Sequence, residues 1–351
     1  MFRGSSDEAE ADIARAAKAA VAFLVAAQDE RGRWLDFPEV GGGSDEWVTS
    51  YVGTALAAMP DASAQRAARL GWLALRAQPR WSGGWGYMPT YPADADSTAW
   101  ALRLAESLRV RRDLRVWRAR AFLSWHQRAN GGVATYAFPS LMVRITGLKG
   151  SFDGWCTAHC CVTANVAHLV RFRGREPARR FLRARQRSDG SWPSYWWADC
   201  EYATTLAAEA LAQSDPSSDC AAVGRAVAWA CCAPAVDGGA VSATVPGGSA
   251  FATALRLRLL ALSPAGVETA GPRRAAVEWL IRTQCPDGAW PSSAWLRFPP
   301  THVVDPTSIA EWHFGRMVEA GVMVDQRRLF TTATVLTALC AMCVRAPPKG
   351  R

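Results

Sequence analysis

The chain has 351 residues, half of them apolar and a fifth charged, with 28 glycines and 20 prolines. That balance excludes disorder, collagen-like repeats and a small scaffold stapled by disulfides. The net charge is +9, but arginines such as Arg109, Arg111, Arg112, Arg115 and Arg118 recur along outward helix faces instead of forming a basic block with aromatics; nucleic acid is not expected as a partner, while an anionic membrane surface stays open.

In chain order, the acidic start Met1 to Glu10 and the short apolar stretch Ala19 to Ala27 do not read as a leader peptide. A helix with one charged face is expected over 8–28, ending in the phrase Phe23-Leu24, Gln28, Gly32, Trp34. An aromatic-Leu pair, a Gln and a Gly turn ending in Trp recur as Trp72-Leu73, Gln78, Gly84, Trp85. Phe122-Leu123, Gln127 and Gly131-Gly132 form a third copy, with Val133 in the Trp position. Phe181-Leu182, Gln186, Gly190, Trp192 and Trp279-Leu280, Gln284, Gly288, Trp290 are the clearest, and Trp229 to Gly239 is a worn copy. A second phrase alternates with the first, an aromatic or Val, then Thr, then an Ala/Leu-rich helix. It reads Tyr51 to Thr54, Asp96 to Thr98, Val162-Thr163, Tyr202 to Thr204, Phe251 to Thr253 and Phe330 to Thr332, the last opening a helix over about 327–344.

The second set of helices is small and nearly uncharged, so it is expected to be buried all round, whereas the first carries charge on one face. Six outer and six inner helices therefore alternate in units of about 50 residues, and strand signals are nearly absent. Because the chain opens on an outer helix and ends on an inner one, without polar capping repeats, the expected fold is an all-α (α/α)6 barrel and not an open array. One domain spans 1–346, with a tail over 347–351. The Gln is expected to satisfy orphan backbone groups at the helix end, with the Trp packed across it. Cys160-Cys161 and Cys231-Cys232 lie inside apolar helices and fit reduced thiols, and no apolar run reaches the roughly 18 residues of a membrane span. A cytoplasmic location is expected.

These phrases resemble the QW repeats of the squalene-hopene and oxidosqualene cyclases, and more distantly those of prenyltransferase β subunits. In the class II terpene cyclases a Gly-Gly-Trp phrase and a Tyr/Pro loop precede Asp-x-Asp-Asp-Thr-Ala, whose middle Asp protonates an alkene or epoxide. Here Gly83-Gly84-Trp85 and Tyr91-Pro92 precede Asp94-Ala95-Asp96-Ser97-Thr98-Ala99. The resemblance implies that Asp96 is the acid and Asp94 its polarising neighbour. Ser97 departs from the hopene type and is similar to the small residue of the oxidosqualene type. In the hopene cyclases a His in Val-Thr-Ala-His stabilises the acid's conjugate base; Val162-Thr163-Ala164-Asn165 places Asn165 there. From the residues alone, Asp94 or Asp96 could equally cap a helix.

Trp47, Tyr51, Trp100, Trp155, Trp196, Trp197, Tyr202, Phe251 and Trp312 are the expected lining of a cavity whose ring faces stabilise carbocations. Asp199 and Glu201 could end the reaction as a base or cap a helix. Asp153, Cys156, His159 and Cys160 resemble a metal ligand set, with His302 or His313 as a distant partner, but the spacing differs from the prenyltransferase zinc site. No cofactor and no metal are expected, and an Asp-Asp-x-x-Asp motif for diphosphate-bound magnesium is missing. The expected activity is protonation-initiated cyclisation of an isoprenoid. A zinc-dependent prenyltransferase-like enzyme and a non-catalytic barrel subunit are the alternatives. With one barrel, a homodimer or one of the two interruptions, Val133 to Trp155 and Pro291 to Asp325, must close the cavity.

Overall fold

The computed structural model describes residues 4–344 except 40–41, 79, 111, 148, 214–215, 234, 243–244, 264–266 and 316–318. Numbered in chain order, the outer helices are α1 (Gly4–Ala26), α3 (Ala62–Ala77), α5 (Leu114–His126), α9 (Arg175–Arg185), α11 (Pro216–Cys232) and α13 (Val267–Thr283). The inner helices are α2 (Glu46–Ala57), α4 (Ala95–Ser107), α8 (Cys160–Ala167), α10 (Glu201–Ala212), α12 (Ala250–Leu260) and α14 (Leu329–Val344). Each inner helix packs on the next, and α14 packs on both α2 and α1, so the ring is closed. The expected toroid of six inner and six outer helices is the observed fold. The 347–351 tail lies outside the described residues.

The two sequence phrases turn out to be two halves of one joint. Gln28 Nε2 donates to the carbonyl of Gly32 in its own turn and to that of Ala67 on the next outer helix, both at 2.9 Å. Gln127 and Gln186 repeat this towards Gly174 and Ala222. Gln284 reaches Ala16 at 2.9 Å, which ties α13 back to α1. The indoles of Trp34, Trp85, Trp192 and Trp290 each donate to a carbonyl ten residues upstream in the preceding helix, those of Leu24, Leu75, Leu182 and Leu280. The backbone N–H at the end of every turn then donates to the Thr of the second phrase: Trp34 to Thr49, Trp85 to Thr98, Val133 to Thr163, Trp192 to Thr204, Ala240 to Thr253 and Trp290 to Thr332. In the first repeat the partner is Thr49, not the expected Thr54, which bonds back to Ser50 within its helix. The turn glycine is conformational; Gly190 has φ +95, and a Cβ there would meet the Arg225 carbonyl at 2.3 Å.

Strands, nearly invisible in the sequence, are present among the described residues as eight segments of two to four residues on the side of the ring where the inner helices begin. Such lengths are too short for an alternating pattern to register. The first interruption folds as α6 (Pro139–Thr146) and α7 (Asp153–Cys156); the second carries β6 (Trp295–Phe298), paired antiparallel with β8 (Gly321–Val324). The two interruptions interlock. The Trp155 indole donates to the Pro299 carbonyl at 2.9 Å and its backbone N–H to that of Thr301 at 3.3 Å, while the Tyr195 hydroxyl from the α9–α10 connection donates to the Val303 carbonyl at 2.8 Å.

Candidate active site

The loop from Gly83 to Asp94 is held by a buried ion pair. Glu46, the first residue of α2, accepts from Arg80 at 2.8 Å and from the Gly86 N–H at 2.7 Å, while Arg80 donates onward to the Tyr91 and Met88 carbonyls. The chain is thereby delivered to α4 with Asp94 as its N-cap. Asp94 accepts from the Ser97 backbone N–H at 2.8 Å and from its hydroxyl at 2.7 Å. The cap is Asp94 and not Asp96, so Asp96 is free for another task. Its side chain turns into the barrel mouth.

Asp96 Oδ2 accepts from the Trp47 indole at 3.0 Å, and Oδ1 accepts from the Asn165 amide at 3.0 Å. The same amide donates to the Asp96 carbonyl at 3.1 Å, and Asn165 Oδ1 accepts from Arg103 at 3.2 Å. The Arg103 guanidinium in turn lies 4.0 Å over the Trp100 ring. Residues from three neighbouring inner helices thus meet at one carboxyl. Burial pushes Asp96 up to about 6 against the two hydrogen bonds and the Arg103 charge, which act the other way. Burial pushes Asp94 up to about 7, with the Asp96 charge adding to the rise and its Ser97 hydrogen bonds opposing it. Two neighbouring carboxyls raised this far can each hold a proton in mildly acidic to neutral solution.

Above Asp96 is a cavity of about 80 Å³ that is partly open to solvent. Its wall includes Asp94, Asp96, Ser97, Trp47, Trp155, Trp196, Trp197 and Tyr202. The rings pack in two groups. Trp197 lies 4.5 Å from Tyr202 and 5.9 Å from Trp47, and Trp155 lies 5.5 Å from Trp196. Three of the expected lining residues sit behind this wall. Tyr51 is stacked at 3.6 Å on Phe330, Trp100 donates to the Tyr202 hydroxyl at 2.9 Å, and Phe251 backs Trp197 at 4.9 Å. Trp312 is elsewhere, under the Arg297 guanidinium at 5.4 Å. The remainder of the wall was not anticipated: Tyr87, Tyr91, Thr135, Tyr136, Cys161, Val162, Leu296 and Phe298. Tyr136 and Trp155 come from the first interruption and Leu296 and Phe298 from the second, so this chain's own segments roof the cavity.

Asp199 and Glu201 do not face it. Asp199 accepts from the Ser242 hydroxyl, and buried Glu201 is paired with Arg256 at 2.7 Å. The metal-like set is dispersed. Both His159 ring nitrogens are engaged, with Thr135 and with the Gly154 carbonyl, His302 and His313 are exposed, and no group of three His, Cys, Asp or Glu among the described residues could hold an ion.

The family model of the squalene-hopene cyclase C-terminal domain matches residues 162–304. No curated protein sequence matches the chain. Among solved structures, a variant of the type II terpene cyclase MstE from Scytonema, bound to merosterolic acid A as product, is 39% identical with a TM-score of 0.91, covering 96% of this chain and 99% of that one. Another MstE variant, bound to geranylgeranyl dihydroxybenzoate as substrate, is 39% identical with a TM-score of 0.89 over 95% and 97%. A protein from Actinoplanes is 39% identical with a TM-score of 0.89 over 94% and 99%. The chain belongs to the type II terpene cyclases, enzymes that begin cyclisation by protonating their isoprenoid substrate.

Proposed function

We propose that Asp96 is the proton donor and that the substrate is a linear polyprenyl chain carrying an aromatic head, of the kind MstE binds. The observation that carries this reading is the Asp96 carboxyl, on the wall of an aromatic-lined cavity, with two N–H donors aimed at its oxygens. The protonated carboxyl gives its hydrogen to the terminal double bond, whose electron pair forms the new C–H bond. The carboxylate left behind is stabilised by the Trp47 and Asn165 N–H groups, and Arg103 polarises the Asn165 amide. The cation then moves along the faces of Trp47, Trp197, Tyr202 and Trp196. Asp94 and Ser97 polarise the acid from the neighbouring cap. No Lys, Arg or His is among the described residues of the wall, which disfavours burying a diphosphate there.

The apolar surface of α6 supports a peripheral contact with an anionic membrane. Leu141, Val143 and Ile145 are exposed on it, Phe138 and Trp125 flank it, and Arg144 sits among them. An apolar groove beside α6 shares Tyr136 with the catalytic cavity, a route by which a lipid-dissolved chain could enter. Among the described residues no helix is long and apolar enough to cross a membrane. Nine described cysteines are free thiols, which supports a reducing, cytoplasmic setting.

The test is incubation of the purified enzyme in D2O with geranylgeranyl dihydroxybenzoate, its shorter prenyl homologues and free polyprenyl diphosphates. A cyclised product carrying one new deuterium at the protonated carbon is expected from the aromatic-headed chain. Conversion of the diphosphates alone would overturn the assignment of the head group.

A further inference from the structure

Cyclisation by protonation needs a base to end it, and the Asp94–Ser97 cluster only accounts for the beginning. The pair Thr135 and His159 lies outside that cluster, and its proton positions follow from the geometry. His159 Nε2 is 2.9 Å from the Gly154 carbonyl, which can only accept, so Nε2 carries a hydrogen. The ring is buried, stacked at 3.7 Å on Tyr195, and burial holds it neutral with a pKa down to about 3. Nδ1 is therefore bare. Thr135 Oγ1 lies 2.9 Å from Nδ1 and must donate its hydrogen there. The Trp196 indole donates to the same Thr135 oxygen at 2.7 Å, occupying one of its two lone pairs. Thr135 lines the cavity, so the second lone pair is left for whatever the cavity holds.

Resting on the cyclase reading above, we propose that Thr135, backed by His159, is the base that takes the final proton. The cyclised cation loses a hydrogen from the carbon next to its charged centre to Thr135 Oγ1. The electrons of that C–H bond become the new double bond. Thr135 passes its own hydroxyl hydrogen to His159 Nδ1, leaving a neutral Thr and an imidazolium with both nitrogens protonated. A weakly basic imidazole is sufficient, because an alkyl cation surrenders a proton far more readily than any protein acid. Its weakness also lets the proton return through Thr135 to water once product leaves. The Trp196 N–H and the His159 ring fix the oxygen in one place, so the double bond forms at one position.

The experiment compares wild type, Thr135→Val, Thr135→Ser and His159→Leu on the linear isoprenoid the wild type consumes, geranylgeranyl dihydroxybenzoate being the first probe. Substrate loss and product ratios are read separately, and folding is checked by circular dichroism. Thr135→Val keeps the shape and removes the oxygen. Folded Thr135→Val should still consume substrate, while the wild-type alkene falls at least about a hundredfold relative to other alkenes and alcohols, the low end of a positioned base. Thr135→Ser should restore the wild-type product, and His159→Leu should shift the ratios as Thr135→Val does. Unchanged ratios in folded Thr135→Val overturn the proposal and assign the final proton to Asp94 or Asp96. Loss of substrate consumption in folded Thr135→Val overturns it too, by placing Thr135 in the first step. Failure of the wild type to convert any linear isoprenoid would instead refute the cyclase substrate.

Discussion

Removing the Asn165 side chain should weaken the acid in a way the pH profile can resolve. Its amide supplies one of the two N–H donors on the Asp96 carboxyl and transmits the Arg103 charge. A hydrogen bond to a charged group contributes about 1.5–3 kcal/mol, and roughly 1.4 kcal/mol corresponds to one pKa unit. Asn165→Ala should therefore raise the Asp96 pKa by about one to two units, because that bond favours the carboxylate. In the proposed mechanism the protonated form is the active one. Wild-type kcat/KM should be flat at low pH and fall above about 6, the value to which burial raises Asp96. In the variant the plateau should drop by about 10- to 100-fold, since less conjugate-base stabilisation is available as the proton leaves. Its falling limb should move to higher pH, so the two curves converge in alkaline buffer. The assay is product formation from pH 5 to 9, roughly spanning the limb. A uniformly lowered curve whose limb stays in place would show that Asn165 only supports the fold, and the reasoning about the acid's stabilisation would fail.

Trp47→Phe keeps the ring contact with Phe330 at 4.7 Å but loses the other N–H donor; kcat should fall about tenfold with the limb again moved to higher pH. Gln186→Ala frees the Gly190 and Ala222 carbonyls and should lower stability by about 1–3 kcal/mol in urea denaturation, with product ratios unchanged. Trp192, fully buried, should cost about 3–5 kcal/mol on replacement by Ala, measured the same way. The pair Leu141→Glu with Ile145→Glu should abolish sedimentation with anionic vesicles while turnover of detergent-dispersed substrate persists; equal vesicle binding would remove the membrane contact.

The barrel was legible because its repeated joint uses residue types that report their own geometry. A Gln that must reach two carbonyls and a Trp that must reach a third recur at nearly fixed spacing, and the Thr that accepts from the turn recurs with them. The place of the Asp94–Asp96 loop was legible for the same reason, as a motif anchored to one such joint. The roof was not. Tyr136, Leu296 and Phe298 come from interruptions with no period, and for Leu296 and Phe298 the pairing of β6 with the 195–197 segment helps bring them to the cavity. Trp312 shows the converse error, since an aromatic in an insertion carries no sign of which face it takes. Arg103 and Arg258 were hidden by the Ala/Leu-rich character of the inner helices. Each lies against a partner on another helix, buried Arg258 on Glu209 at 2.6 Å and half-buried Arg103 on Asn165, and such pairs leave no local pattern.

In the proposed mechanism the Asp96 proton starts the reaction. Asp94, not Asp96, caps α4, so Asp96→Asn leaves the helix start intact and keeps an oxygen for one of the two N–H donors. The decisive measurement is single-turnover conversion by folded Asp96→Asn, beside wild type, of the linear isoprenoid the wild type cyclises. A loss of at least about a thousandfold is expected, well beyond the effect of one hydrogen bond. Ordinary turnover by that variant would contradict it.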